Sequence, residues 1–186
     1  MAAPLATRSF TVDEYHRMAE AGILHEGDRV ELLDGQVVEM TPIGPRHARC
    51  VDDLASMFSR RLGDRVIVRI QNPLALGVHQ EPEPDVALVR LRPGRYGDAH
   101  PGPRDVLLVV EVAESSLATD RDIKLPIYAS AGIQDVWIVD LGHERIERYR
   151  SPTPRGYQDV HTFTRGDTVA ALLVPTGEMA VSEILG

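Results

Sequence analysis

The sequence predicts an α/β (α+β) domain: a mixed central β-sheet flanked by helices, with an N-terminal helix and a β-hairpin ahead of it. Three observations carry this. Leu107 to Val110 is an unbroken apolar run ending on Glu111, as in a strand buried on both faces. Asp34-Gly35 stands between two apolar-rich segments, a strong signal for a tight hairpin. From His47 to Leu62 the apolar residues Val51, Leu54, Ala55, Phe58 and Leu62 recur at helical spacing, so helices and strands interleave along one chain.

The elements follow in order. Residues 1–9 read as a loose tail. Thr11 and Glu14 have capping-box spacing, which starts a short helix running to about Ala21, with Gly22 past its end. The hairpin follows, with Val30 and Leu32 on one face and Glu31 and Leu33 on the other. Pro42 to Arg46 is a turn, and Gly63 stops the long helix. Val66–Ile70 is a strand, and Leu74–Leu76 a further short one. The prolines of Glu81-Pro-Glu-Pro hold an extended segment that delivers Asp85 to the head of strand Val86–Val89. Arg90 to Arg104, rich in Pro, Gly and Arg, is an exposed loop. After the central strand, Thr119-Asp120-Arg121-Asp122 reads as a helix start, with Lys124 about one turn in. Val136–Asp140 is another buried strand. Glu144–Arg150 and Tyr157–Phe163 form an antiparallel pair, and Met179–Leu185 is an edge element or helix.

The chain has 186 residues, of which 43% are hydrophobic and 26% charged, ordinary values for a globular protein. Residues 10–186 read as one domain, large enough to bury a core. Cys50 is the only cysteine, which excludes an intrachain disulfide and a zinc site of clustered cysteines. The N-terminus lacks the apolar core of a signal peptide, and no segment approaches the ~20 apolar residues of a membrane span. A soluble, cytoplasmic protein with no membrane partner is expected. The formal net charge of −8 disfavours a general nucleic-acid coat protein. It leaves room for a nuclease, because acids gathered at a metal site count against the total. Lys124 is the only lysine.

The chemistry concentrates at a few positions. Asp85 heads a strand, Glu111 ends a buried one, and Lys124 sits on the helix that follows. Two carboxylates converging at neighbouring strand ends suit Mg²⁺ or Mn²⁺, which clamps a phosphate and acidifies a bound water. A lysine beside them can position or deprotonate that water, or neutralise charge developing on phosphorus. Glu31, on the hairpin, offers a third carboxylate.

Pro84-Asp85, then Glu111, then a lysine, resembles the PD-(D/E)XK nuclease superfamily. The fuller pattern is similar to the Uma2 (Uma-two) family, a bacterial group of endonuclease-like proteins first catalogued as a domain of unknown function. The segments that carry the likeness are Phe10 to Tyr15, Val30 to Gly35, Pro42 to His47, Pro84 to Val89, Leu108 to Val112, Asp120 to Lys124 with Tyr128, and Trp137 to Asp140. They span roughly residues 10 to 165. The resemblance implies a restriction-endonuclease-like fold and a Mg²⁺- or Mn²⁺-dependent endonuclease acting on DNA. It assigns the metal to Asp85, Glu111 and the Val112 carbonyl, the lysine's role to Lys124 and an early acid to Glu31. Two-fold dimers are common in this fold, since cutting both strands takes two sites, so a homodimer is one reading; no interface is legible in the sequence and the oligomeric state stays open. Two departures stand out. Ala113 occupies the usual lysine position, two residues after the glutamate, and Pro126 lies on the helix that carries Lys124. They motivate the alternative reading, a catalytically inactive nuclease-fold module for DNA binding or regulation.

Other positions keep two readings. His47 and Gln71 either face the cleft or are ordinary polar residues. Asp120 and Asp122 read most simply as first-turn acids that complement the helix dipole. Arg60, Arg61, Arg65 and Arg69 read as a solvated face or as a phosphate-facing stripe. Cys50 and Trp137 read as core.

Overall fold

A computed structural model describes residues 7–25 and 27–186. Residues 1–6 of the expected tail lie outside the described residues. Helix α1, Val12–Glu20, opens with the expected capping box: the Thr11 hydroxyl accepts the Glu14 amide at 3.2 Å, and the Glu14 carboxylate accepts the Thr11 amide at 3.0 Å. Strands β1 (Val30–Leu33) and β2 (Gln36–Glu39) form the hairpin. Both turn residues are left-handed, Asp34 at φ 49° and Gly35 at φ 73°, as a two-residue hairpin turn requires. Gly35 is needed for space as well, because a Cβ there would stand 2.6 Å from the Ser9 Cβ. Helix α2, Pro45–Leu62, ends at Gly63 with φ 52°.

The main sheet has six strands lying side by side in chain order: β3 (Val66–Ile70), β4 (Val86–Arg90), β5 (Val106–Ala113), β6 (Asp135–Asp140), β7 (Arg145–Thr153) and β8 (Gly156–Thr164). All neighbours are antiparallel except β5 and β6. A parallel pair needs a crossover, and the helical stretch α3, residues 117–130, supplies it. The chain closes with the short pair β9 (Thr168–Val169) and β10 (Met179–Ala180), then helix α4 (Val181–Leu185).

Two expectations are corrected. Leu74–Leu76 forms no strand: its amides reach outward to the carbonyls of Pro82, Pro101 and Gln80, so the segment is an irregular brace between loops. The helix after β5 starts at Leu117, ahead of Thr119.

The sheet separates two apolar layers. On one face, Val51, Leu54 and Phe58 of α2 meet Leu108, Val110 and Val112 of β5, Trp137 of β6 and Ile184 of α4. On the other, Leu33 of the hairpin and Ile127 and Tyr128 of α3 meet Ala87, Val109, Ala113, Val136 and Ile138. Alternation along β5 therefore points Glu111, between Val109 and Ala113, at α3 and the hairpin. Each apolar side chain buried in this run contributes about 1.5–3 kcal/mol, which offsets the cost of placing a carboxylate at its end.

A buried anchor fixes the far side. Asp135 is fully buried and accepts Arg150 Nε and Nη2, each at 3.0 Å, together with the Leu172 amide at 2.7 Å and Trp137 Nε1 at 3.2 Å. Asp135→Ala would strand the guanidinium, so a loss of about 3–5 kcal/mol in chemical denaturation is expected. A loss below about 1 kcal/mol would contradict this role.

Candidate active site

The site forms where β4 begins and β5 ends, between the start of α2, the hairpin and α3. Asp85 precedes β4. Its Oδ2 accepts the Val112 amide at 2.8 Å and meets His47 Nε2 at 3.0 Å, while Oδ1 accepts Gln71 Nε2 at 3.2 Å. Gln71 adopts a left-handed φ of 48°, unusual for a side chain with a Cβ. It is held there at both ends by Asp85, since its amide also donates to the Asp85 carbonyl at 3.1 Å. Burial pushes the Asp85 carboxyl up. The hydrogen bond and charge of His47, the Val112 amide and Gln71 outweigh that and hold it below its ordinary value. The same contact with Asp85 pushes His47 up.

Glu111 lies one position across the register. Its Oε2 accepts the Asp85 amide at 3.3 Å, and its Oε1 accepts the Tyr128 hydroxyl at 2.5 Å. Lys124 Nζ stands 3.4 Å from that Oε1 and 3.1 Å from Glu31 Oε1. Glu31 Oε2 in turn accepts the Glu83 amide at 3.0 Å. So the structure brings Asp85, Glu111, Lys124 and Glu31 into one connected group, all of them buried. Burial pushes Glu111 well above the usual carboxylate range despite Lys124, with the charges of Asp120 and Asp85 adding to it. Burial alone would pull the Lys124 ammonium down, but Glu111, Glu31 and Asp120 more than reverse this and raise it.

Both sequence departures have a structural explanation. A lysine at position 113 would point to the same face as Glu111. Here Ala113 is buried, and its small side chain lets α3 pack over that face, so an ammonium from α3 reaches the same space. Pro126 follows a π turn over Asp120–Lys124, closed by the Leu125 amide donating to the Asp120 carbonyl five residues back. The widened turn gives the prolyl ring room, and the helix continues from Leu125 to Ser130. The turn also directs Asp120 and Lys124 inward together, while Asp122 and Ile123 stay exposed.

Asp120 therefore differs from its simplest reading as a dipole-complementing surface acid. It is buried, accepts the Ser116 hydroxyl at 2.7 Å and lines the cleft. Burial pushes its carboxyl up to about 6. Tyr128 and Glu83 also join the site; Glu83, too, is raised by burial and by Glu31. The spacing of Asp120 from Lys124 was a signal for a shared helix face; Glu83 carried none. None of Arg60, Arg61, Arg65 and Arg69 lines the cleft. Arg60 and Arg61 lie 13 and 14 residues beyond His47 on α2, about 20 Å along the helix. Arg61 is engaged with Glu183 and the carbonyls of Thr176 and Glu178. Cys50 and Trp137 are core residues.

Removing the Tyr128 hydroxyl takes away the shortest hydrogen bond to Glu111 and leaves it the Asp85 amide and Lys124. Tyr128→Phe is expected to lower stability by about 1–3 kcal/mol, measured by thermal unfolding. An unchanged midpoint would show that the hydroxyl does not support the carboxylate.

The donor set suits a hard divalent cation. Acids outnumber cations in the cleft, and Glu111, Asp120 and Glu83 are all displaced upward, as expected of carboxylates short of positive charge. Continuing the register of β4 and β5 sets Pro84 opposite Val112, and a prolyl nitrogen has no hydrogen to give the Val112 carbonyl. Among the described residues, no three His, Cys, Asp or Glu side chains are arranged to hold a metal. Two carboxylates and a carbonyl, completed by water and phosphate oxygens, match the way Mg²⁺ is usually bound.

The mixed six-stranded sheet with helices on both faces, and acids at the ends of two central strands, defines the chain as a restriction-endonuclease-like α+β protein. A crystal structure described as "a putative nuclease belonging to DUF820", from Anabaena variabilis ATCC 29413, shares the fold with a TM-score of 0.72, 13% sequence identity, and coverage of 95% of this chain and 97% of that one. The model of the Uma2 family, described as "Putative restriction endonuclease", matches residues 12–182, and the chain belongs to that family. No curated protein matches it. No helix among the described residues is long and apolar enough to cross a membrane.

Proposed function

We propose that the protein is a metal-dependent endonuclease that hydrolyses phosphodiester bonds in DNA. The observation that carries this reading is the convergence of Asp85, Glu111, Lys124 and Glu31, from four different elements or connections, on one buried point. Family membership supports it. Asp85, Glu111 and the Val112 carbonyl would hold Mg²⁺ or Mn²⁺, which supplies phosphate binding and an acidified water.

The chain's own groups divide the remaining work. His47, Gln71 and the Val112 amide aim Asp85 and keep it ionised. Tyr128 and the Asp85 amide do the same for the orientation of Glu111. Lys124, kept charged by two carboxylates, is unsuited to remove a proton, so its role is to orient the water and neutralise charge growing on the phosphoryl oxygens. Glu31 positions Lys124. Asp120, buried and lining the cleft beside these groups, offers a further carboxylate to accept the water's proton. The packing of α3 accommodates both Ala113 and Pro126, which supports the active reading over an inactive module.

Purified protein should cut plasmid or linear DNA with Mg²⁺ or Mn²⁺ and stop when the metal is chelated. Cutting that persists at full rate in excess chelator would overturn metal dependence, and no cutting under any metal would overturn the nuclease reading.

A further inference from the structure

Resting on the nuclease reading, we infer that this cleft takes an unpaired phosphodiester: a single strand, or an opened end of a duplex, with its bases turned away from their partners. The first reason is depth. Glu111, Lys124 and Asp120 are 2%, 6% and 3% exposed, so the groups that must meet the phosphate lie below the surface. The cleft that all three line holds a space of about 100 Å³. That admits a phosphate but not the body of a double helix.

The lining is also closely packed at one point. Thr41, Pro42, Ile43, Ser115 and Ser116 all line the cleft. Gly44 passes so close to Glu114 that a Cβ on Gly44 would stand 2.6 Å from Glu114 Oε2. Charge points the same way. Beyond the metal pair, Glu31, Glu39, Glu83, Glu114 and Asp120 line the cleft, against Arg29 and Lys124. A duplex carries about one charge per 1.7 Å of axis and binds through many cationic contacts at once. This rim does not offer them, since exposed Arg46 is tied to Glu114 and to the Leu141 carbonyl.

A separate feature provides for an unpaired base. An open trough of about 760 Å³ continues from the cleft over Leu24, Val37, Met40 and Ile43, with Arg29, Asp28 and Glu39 also in its lining. Arg29, Met40 and Ile43 also line the cleft, so cleft and trough are continuous. An apolar floor beside a guanidinium suits a nucleobase face and its adjacent phosphate. A paired, stacked base exposes no such face.

The test uses one labelled oligonucleotide in three forms: single-stranded, blunt duplex, and duplex with a single-stranded tail. Each is incubated with the full-length protein and Mn²⁺, with Asp85→Ala as the background control. The single strand should be cut at least about tenfold faster than the blunt duplex, a margin set by the lost access and contacts, and cuts in the tailed form should fall in the tail. Cutting inside the blunt duplex at the single-strand rate would overturn this inference and leave the nuclease reading standing. No cutting of any form would overturn both. Ile43→Asp, outside the catalytic group, should raise KM for the single strand about tenfold with kcat held. An unchanged KM would overturn the trough as the base site.

Discussion

Lys124→Met is expected to abolish cleavage and to destabilise the fold by about 3–5 kcal/mol near pH 8, and by markedly less near pH 5. The lysine is the cation that two buried carboxylates share, at 3.1 and 3.4 Å. Methionine keeps the length of the side chain and removes the charge, leaving Glu31 and Glu111 buried without it. The pH dependence follows from the direction of the shifts. Glu111 and Asp120 already bind protons more tightly in the folded chain than in the unfolded one, Asp120 up to about 6, and Lys124 opposes both shifts. Without it the two rise further. Where the folded state holds the extra proton, stability falls as pH rises through the unfolded value toward the folded one. The penalty is therefore only partly developed near pH 5, just above the ordinary values of these carboxyls, vanishes below those values and is full above the raised ones. Thermal unfolding of the variant and the parent across that window measures it. Equal losses at both ends would show that Lys124 does not neutralise the buried acids.

Asp85→Ala is expected to lower the cleavage rate by about 10³-fold or more, the size of effect seen when a group that stabilises transition-state charge is lost, while the protein stays folded. Two of the substitution's consequences separate. It frees His47 and Gln71 and leaves the Val112 amide unpaired, which costs about 1–3 kcal/mol. It also removes one of the two carboxylates assigned to the metal, which affects activity far more than stability. Asp85→Asn distinguishes the two: it keeps the shape and part of the hydrogen bonding, so it should recover stability but not cleavage. Recovery of both would reduce Asp85 to a structural residue.

Much of this was legible in the chain itself. The run from Leu107 into Glu111, the Asp34-Gly35 turn and the α2 periodicity each encode their element locally, and the structure contains all three. The ordered acids and the lysine were legible as a pattern, and the structure adds the distances between them. What was not legible depends on tertiary packing. Asp120 carries the local signature of a first-turn surface acid, and only the π turn beside Pro126 turns it inward with Lys124. Gln71 kept two readings, facing the cleft or ordinary polar, and its left-handed backbone, held by Asp85 at both its amide and its side chain, carried no sequence signal. Leu74–Leu76 has strand composition but no neighbouring strand edge, so its amides go to three separate loop carbonyls.

Titrating the protein calorimetrically with Mn²⁺, beside Asp85→Ala under the same conditions, addresses the metal centre itself. The parent should bind the ion at millimolar concentration or tighter, through Asp85 and Glu111, and the variant should give only the heat of dilution. No binding by the parent, or the same binding by both, would contradict a metal centre at this site.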